Sequence, residues 1–230
     1  MTYITGDTHG EFERVEKLVY TMDSAADDVL IILGDAGINY FGEPEDRALK
    51  KQLTALPITL LCIHGNHEMR PESLGAYQEK EWRGGIAYWE PKFPNLLFAK
   101  DGEIYELEGR RCIAIGGAYS VDKYIRFLSG KICWWPDEQP SDEIKKRVES
   151  RLNAEGWKVD IVLSHTCPYR YMPRNTFLPF IAQNKVDNST EEWLDNIEGK
   201  LTYDRWFCGH FHTNETIGNI QFMYEDIKEF

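Results

Sequence analysis

Five apolar runs in this chain each end at a cluster of residues that can bind a metal ion. The runs are short and rich in Ile, Val and Leu, which is typical of buried strands in a parallel sheet. The clusters that follow them are Gly6-Asp7-Thr8-His9-Gly10, Gly34-Asp35, His64-Gly65-Asn66-His67-Glu68, Ser164-His165 and Gly209-His210-Phe211-His212. Because α/β sheets bind ligands at the carboxyl ends of their strands, we expect these clusters to lie close together.

The bulk composition limits the classes of partner. The chain has 230 residues and lacks a linker rich in Pro, Gly or Ser, so we expect one domain spanning residues 1–230. Its formal net charge of -12 argues against binding long duplex nucleic acid or an anionic membrane through a basic surface. A small phosphorylated or nucleotide substrate is compatible with this charge, and the oligomeric state stays open.

The cysteines and the N-terminus favour a cytoplasmic protein. The first strand begins almost at once, which predicts no secretory signal, and no apolar run approaches the roughly 18 to 20 residues of a membrane span. The cysteines lie apart, with no Cys-x-x-Cys pair: Cys62, Cys112, Cys133, Cys167 and Cys208. We therefore expect free structural thiols in a reducing compartment.

The remaining patterns predict an α/β fold. Helices are predicted over Glu11 to Met22, from Pro44 onward, from Ser141 to about Ala154, and from a capping box at Ser189 and Glu192 through Ile197. Hairpin turns are predicted at Asp101-Gly102, Glu108-Gly109 and Gly218-Asn219. Crossover helices imply parallel strands in the first half. We expect a layered α-β-β-α sandwich of two mixed sheets with helices outside and a metal site at the C-terminal strand ends.

The clusters combine residues that suit transition metals. Asp7 and His9 stand two apart, as do His210 and His212, so each pair can face the same side of an extended segment. Imidazole together with carboxylate and amide oxygen favours Mn, Fe or Zn over Mg or Ca. The carboxylate of Asp35 has two oxygens and can bridge two divalent ions. Such a pair would attract phosphate locally even though the whole protein is acidic.

This set of clusters resembles the calcineurin-like metallophosphoesterase superfamily from Asp7 to His212, nearly the whole chain. The resemblance implies a binuclear centre and hydrolysis of a phosphoester by a metal-bound hydroxide. It implies that one ion is held by Asp7, His9 and His212, that the other is held by Asn66, His165 and His210, and that Asp35 bridges them. It also implies that His67 contacts the phosphoryl group and assists the leaving oxygen, with Asn66 and Asp35 completing the catalytic set.

The chain departs from the family pattern in two ways. Family members often place an acid three residues after Gly-Asp to orient the catalytic histidine, but this chain reads Gly34-Asp35-Ala36-Gly37-Ile38, so the partner of His67 is not predicted. The phosphoprotein-phosphatase branch usually continues with Asp-Arg to bind phosphate, and neither residue occurs here. His64 has no ligand role in the family pattern and is interpreted as a hydrogen-bonded or structural group.

Two segments rich in aromatic and basic residues are candidates for substrate binding. The candidate residues are Tyr119, Lys123, Arg126, Tyr169 and Arg170. Aromatic rings beside cations can stack a base while holding phosphate, which suggests a nucleotide-type substrate. In the alternative, Trp134 and Trp135 cover the second sheet and the basic residues pair with acids. Gly116-Gly117 either cradles phosphate with backbone amides or only permits a turn.

The leading hypothesis is a metal-dependent hydrolase of a phosphomonoester or phosphodiester. One alternative is a phosphodiesterase or nuclease acting on cyclic nucleotides or oligonucleotide ends. Another is a non-catalytic metal-binding scaffold of the same fold, because one fold can host unrelated functions. His67 discriminates against the scaffold, which has no need of a histidine that binds no metal.

Overall fold

A computed structural model describes residues 1–128 and 134–230. Its helices are α1 (Glu13–Met22), α2 (Glu45–Leu53), α3 (Lys123–Leu128), α4 (Asp142–Ala154) and α5 (Ser189–Glu198). The strands of the first half are β1 (Thr2–Thr5), β2 (Val29–Ile32), β3 (Thr59–Cys62), β4 (Gln78–Trp82), β5 (Gly85–Glu90) and β6 (Phe93–Ala99). Those of the second half are β7 (Ile104–Leu107), β8 (Arg110–Ile115), β9 (Ile161–Ser164), β10 (Arg205–Cys208), β11 (Thr216–Ile217), β12 (Ile220–Phe222) and β13 (Ile227–Glu229).

The described strands form two mixed sheets. The first has the order β13-β1-β2-β3-β6-β5-β4 and the second has the order β11-β12-β10-β9-β8-β7. In the first sheet β1, β2, β3 and β6 are parallel, and in the second β8, β9, β10 and β12 are parallel. All five predicted apolar runs are parallel strands, which confirms the assignment of the runs.

Three apolar layers hold the sandwich together. Alternate residues of β2 show how the strand serves two of them, because Ile31 packs between the sheets whereas Leu30 packs outward against α1 and α2. The outer face of the second sheet packs against α4 and α5, for instance through Val148 and Leu194. The layer order is therefore α-β-β-α, as the sequence predicts.

Several local predictions are confirmed. Ser141 caps α4 by accepting a hydrogen bond from the backbone N of Ile144 at 3.3 Å. Turns at Glu108-Gly109 and Gly218-Asn219 join the antiparallel pairs β7–β8 and β11–β12. The four cysteines within the described residues are free and buried, whereas Cys133 lies outside those residues. No helix of residues 1–128 and 134–230 has both the length and the apolarity of a membrane span.

Two local predictions are wrong. Asp101-Gly102 does not close a hairpin, because the strands on either side of it, β6 and β7, belong to different sheets. Ser189 is not a capping residue, since α5 begins at Ser189 itself and its N-cap residue is Asn188, which makes no side-chain cap. The carboxylate of Asp187 instead accepts a hydrogen bond from the backbone N of Ser189.

The layer between the sheets should dominate stability. Leu97 is 1% exposed in that layer, so Leu97→Ala should lower the free energy of unfolding by about 2–5 kcal/mol through lost burial and a residual cavity. Leu128→Ala is the matched control, because Leu128 is 89% exposed and its truncation should change the free energy by no more than about 0.5 kcal/mol. Urea denaturation measures both, and equal values for the two variants would contradict this packing.

Candidate metal centre

The predicted metal-binding residues meet at the carboxyl ends of five parallel strands. Asp7 follows β1, Asp35 follows β2, Asn66 follows β3, His165 follows β9, and His210 and His212 follow β10. Three groups of side chains within the described residues bring their potential ligand atoms within 4.8 Å of one another. The groups are Asp7 with His9 and His212, Asp7 with Asp35 and His165, and His9 with Asp35 and His67.

The first group places acceptor atoms in contact. The Nε2 atoms of His9 and His212 are 3.0 Å apart, and Nε2 of His212 is 3.2 Å from Oδ2 of Asp7. This contact with Asp7 raises the pKa of His212, and Oδ2 of Asp7 makes no well-aligned hydrogen bond among the described residues although Asp7 is only 1% exposed. An unpaired buried carboxylate oxygen is costly, and a cation would satisfy it.

The second group shows the same pattern around His165. Nδ1 of His165 lies 2.8 Å from the carbonyl oxygen of Leu33, to which it donates, so Nε2 is the ring atom that faces the centre. That Nε2 lies 2.8 Å from Oδ1 of Asn66 and 3.5 Å from Oδ1 of Asp35. Nδ2 of Asn66 donates to Oγ of Ser120 at 2.9 Å, which turns Oδ1 toward the histidine. Three acceptor atoms thus converge, and a metal ion fits this donor set.

Asp35 connects these groups. It belongs to one group with Asp7 and to another with His9, and its Oδ1 accepts a hydrogen bond from the backbone N of His67 at 2.8 Å. Burial alone would raise the pKa of Asp35, but His165 and His67 hold that pKa below its usual value. The carboxylate is therefore charged and positioned to contact both groups.

His210 lies beside these groups rather than within one of them. Its ring centroid is 5.0 Å from that of His165, and burial lowers its pKa to about 3, so the imidazole is neutral. Its backbone N donates to Oδ1 of Asp7 at 3.1 Å. A role for His210 as a metal ligand stays a prediction.

Backbone conformation at the candidate ligands is strained. His9, Asp35, His210 and His212 have φ values of 49°, 47°, 67° and 49° respectively. Residues with a side chain rarely adopt this left-handed region, which costs about 1–3 kcal/mol each and persists mainly at functional sites. Strain at four of the predicted ligands is independent support for a functional centre here.

The structure supplies the missing neighbours of His67. Nε2 of His67 lies 2.5 Å from Nη2 of Arg126 and 3.8 Å from Oδ1 of Asp122, and Asp122 and Arg126 form an ion pair. The ring of Tyr40 stacks on His67 with centroids 6.1 Å apart. A guanidinium at Nε2 would repel a metal ion, so this contact favours the role in which His67 is not a ligand.

Sequence reasoning missed Asp122 as a partner of His67. The only local signal was the spacing of Asp122 and Arg126, four residues apart, which suits an ion pair on a helix. Nothing in that spacing indicates a contact with a residue more than fifty positions earlier in the chain.

The predicted substrate residues divide into two sets. Tyr119 lines a cavity beside the centre, Arg126 contacts His67, and Nζ of Lys123 lies 3.9 Å from the centroid of the Tyr119 ring. Tyr169 and Arg170 do not line that cavity. The Arg170 guanidinium pairs with acids of α5, as in the alternative interpretation, and the substrate role of both residues stays a prediction.

The structure also describes the surroundings of Trp135, Gly116-Gly117 and His64, whose roles the sequence left open. Trp135 makes an edge contact with Tyr40 near the centre, at a centroid distance of 5.8 Å. The backbone N atoms of Gly116 and Gly117 donate to Oδ1 of Asp101 and to the carbonyl of His64, so these amides are not available to phosphate. The buried imidazole of His64 has no hydrogen-bond partner in the described part of the chain, and burial keeps its pKa well below its usual value.

Comparison with protein-family models identifies the family. The model of the calcineurin-like phosphoesterase family matches residues 2–214, and the chain belongs to that family. A search of curated proteins returned no significant match. One similar solved structure is that of AQ665, a protein of unknown function from Aquifex aeolicus. It is 17% identical, with 72% of this chain and 80% of that chain covered and a TM-score of 0.36.

A glycine sets the position of Asp35. A Cβ at Gly65 would lie 2.0 Å from Oδ1 and 2.1 Å from the backbone N of Asp35, so Gly65→Ala should displace the backbone of Asp35 together with its carboxylate. We expect the variant to bind divalent metal about 10- to 100-fold more weakly, as when a group that orients a ligand is disturbed. A Cβ at Gly75 meets no atom within 4 Å, and Gly75→Ala is the control. Elemental analysis after dialysis against defined metal checks this, and equal metal content in both variants would contradict the placement.

Proposed function

We propose that this chain is a binuclear metal-dependent phosphoesterase that hydrolyses a phosphomonoester or a phosphodiester. The observation that carries the proposal is the convergence of imidazole nitrogens with carboxylate and amide oxygens in two adjacent groups, with 3.0 Å between Nε2 of His9 and Nε2 of His212 and 2.8 Å between Nε2 of His165 and Oδ1 of Asn66. Membership in the calcineurin-like phosphoesterase family supports it. In this proposal Asp7, His9 and His212 hold one ion, Asn66, His165 and His210 hold the other, and Asp35 bridges them.

Two divalent ions, of Mn, Fe or Zn, would supply charge that stabilises the phosphoryl oxygens and would acidify the attacking water. The amide of Asn66 gives one of its two hydrogens to Ser120, which leaves the other for a phosphoryl oxygen. These contacts would stabilise the negative charge that builds up on the phosphoryl group.

Arg126 and His67 would act on the phosphoryl group and the leaving oxygen. An N–H of Arg126 donates to Nε2 of His67, and an arriving phosphate would offer that N–H a charged acceptor instead. Nε2 accepts that N–H, and burial lowers the pKa of His67, so Nε2 carries no proton in this arrangement. Once released, Nε2 would take up a proton from solvent and would donate it to the leaving oxygen as the bond between phosphorus and that oxygen breaks and a water oxygen bonds to phosphorus. Arg126 thus takes the place of the arginine that is missing after Gly34-Asp35.

The proposal can be tested with a panel of phosphoesters after the metal content of the protein has been measured. We expect hydrolysis of 4-nitrophenyl phosphate, of bis(4-nitrophenyl) phosphate or of both, and loss of that activity on chelation with recovery on adding Mn, Fe or Zn. A strong preference for the diester would favour the phosphodiesterase alternative. Full metal loading without hydrolysis of any ester would favour the scaffold alternative and overturn the proposal.

Two substitutions separate metal binding from proton transfer. Asp35→Asn removes the charge of the bridging carboxylate, so metal content and turnover should fall together. His67→Ala should retain the metal and lose turnover by about 10²- to 10⁴-fold, the usual contribution of a general acid. Elemental analysis beside initial rates distinguishes the two effects, and wild-type rates in both variants would refute the assigned roles.

A further inference from the structure

A cavity of about 330 Å³ opens directly beside the candidate metal centre. One wall consists of residues of the centre, including Asp35, His67 and His212. The other wall comes from the segment between β9 and α5 and from Phe211, whose ring contacts that of His210. This volume lies at the lower end of the range for small-molecule sites, about 300–1,000 Å³. A phosphoester bound at the centre would therefore extend its alcohol part into this space.

This second wall is mostly apolar. Its apolar members are Met172, Phe177, Leu178, Ile181, Val186 and Phe211. The rings of Phe177 and Phe211 are nearly parallel, with an interplanar angle of 19° and centroids 6.4 Å apart. Burying the body of a ligand against such side chains contributes roughly 25 cal/mol per Å² of apolar surface. The wall therefore favours an alcohol with a large apolar surface.

The charges around the cavity exclude anions away from the metal centre. None of the described residues that line it is Lys or Arg, whereas two acids line it: Asp122, which is paired with Arg126 beside His67, and Glu191. Glu191 is 3% exposed, accepts a hydrogen bond from Oγ1 of Thr166 at 2.7 Å, and has a pKa raised by burial to about 7. A second phosphate or a carboxylate would lose its hydration here without gaining a counter-ion.

The polar groups of the cavity are suited to neutral partners. Gln183 and Asn188 add side-chain amides to the lining, and an amide both donates and accepts hydrogen bonds. A few such groups in an apolar pocket fix the orientation of a ligand without requiring it to be charged.

We propose that this cavity binds the leaving group, and that the substrate is the phosphate ester of an uncharged alcohol with an apolar body about the size of an aromatic ring or a nucleoside. The inference rests on the proposed function, since it assumes that phosphate binds at the metal centre. It excludes substrates with a second anionic group on the alcohol, such as nucleoside polyphosphates and phosphorylated acids.

The test compares three esters whose leaving alcohols have similar acidity: ethyl phosphate, benzyl phosphate and 4-carboxybenzyl phosphate. With the metal-loaded protein we expect kcat/KM for benzyl phosphate to exceed each of the other two by about tenfold or more, the discrimination usual for an apolar pocket. Equal kcat/KM values for the three esters would overturn the inference while leaving the proposed function intact.

Two substitutions and a matched control test whether the apolar wall causes the preference for benzyl phosphate. Phe177→Ala should remove most of the preference for benzyl over ethyl phosphate, and Ile181→Lys should shift preference toward the carboxybenzyl ester by supplying a cation. Phe180 is 69% exposed and does not line the cavity, so Phe180→Ala should retain the wild-type preference. The same change of preference in Phe177→Ala and Phe180→Ala would overturn the assignment of the wall.

Binding of benzyl alcohol separates failure of the inference from failure of the proposed function. This probe carries no phosphate, so ligand-observed NMR can follow its binding whether or not the protein hydrolyses esters. We expect saturable binding that Ile181→Lys abolishes and Phe180→Ala preserves. If no ester is hydrolysed, the proposed function fails, and this experiment alone decides whether the cavity binds an uncharged apolar group. Absence of saturable binding would then refute the cavity assignment.

Discussion

The convergence of potential ligand atoms at one edge of the sandwich is the constraint on which this structure depends. The Nε2 atoms of His9 and His212 lie 3.0 Å apart, and Nε2 of His165 lies 2.8 Å from the amide oxygen of Asn66, so the lone pairs of each contact repel unless a proton or a metal ion lies between them. Such a cluster persists only if the surrounding fold fixes its members more strongly than they repel. The strand ends provide that rigidity.

The hydrogen-bond ladders of the sheets continue into the turns that carry the candidate ligands. The backbone N of Leu33 donates to Thr5, that of Ile63 donates to Ile32, and that of Gly209 donates to His165, at 3.1, 2.8 and 2.9 Å. The backbone N of His9 donates to the carbonyl of Asp35 at 2.8 Å and joins the first two turns. These strands are buried on both faces, so the aliphatic layers hold the strained left-handed turns in place. The packing that stabilises the sandwich therefore also fixes the positions of the candidate ligands.

The sequence could predict the elements in which local pattern and tertiary role agree. Apolar runs such as Val29–Ile32 are strands because only a doubly buried strand accommodates them, and the turn after such a run necessarily lies at the sheet edge. The alternation of Leu30 and Ile31 between two layers likewise follows from strand geometry.

Features set by long-range pairing could not be predicted in this way. Asp101-Gly102 has the composition of a hairpin turn, yet the chain crosses there from one sheet to the other because β7 pairs with β8. The contact of Asp122 and Arg126 with His67 likewise depends on how the loop after β8 folds over the centre. The identity and spacing of Asp122 and Arg126 in the sequence do not indicate that they contact His67. The apolar wall of the cavity comes from a segment with little regular structure, in which periodicity gives no signal.

The distribution of charge explains how an acidic protein could select an anionic substrate. The formal net charge is -12, but the field at the phosphorus atom depends on the nearest groups, which in the proposed function are the metal ions and Arg126. The rest of the cavity lining offers Glu191, side-chain amides and apolar side chains and, among the described residues, no Lys or Arg, so the preference for a negative group at the centre would give way to a preference for a neutral group there. An ester can satisfy both environments only with its phosphate at the centre and a neutral body in the cavity. This distribution of charge would orient the scissile bond toward His67. It would admit a nucleoside monophosphate and reject a nucleoside polyphosphate.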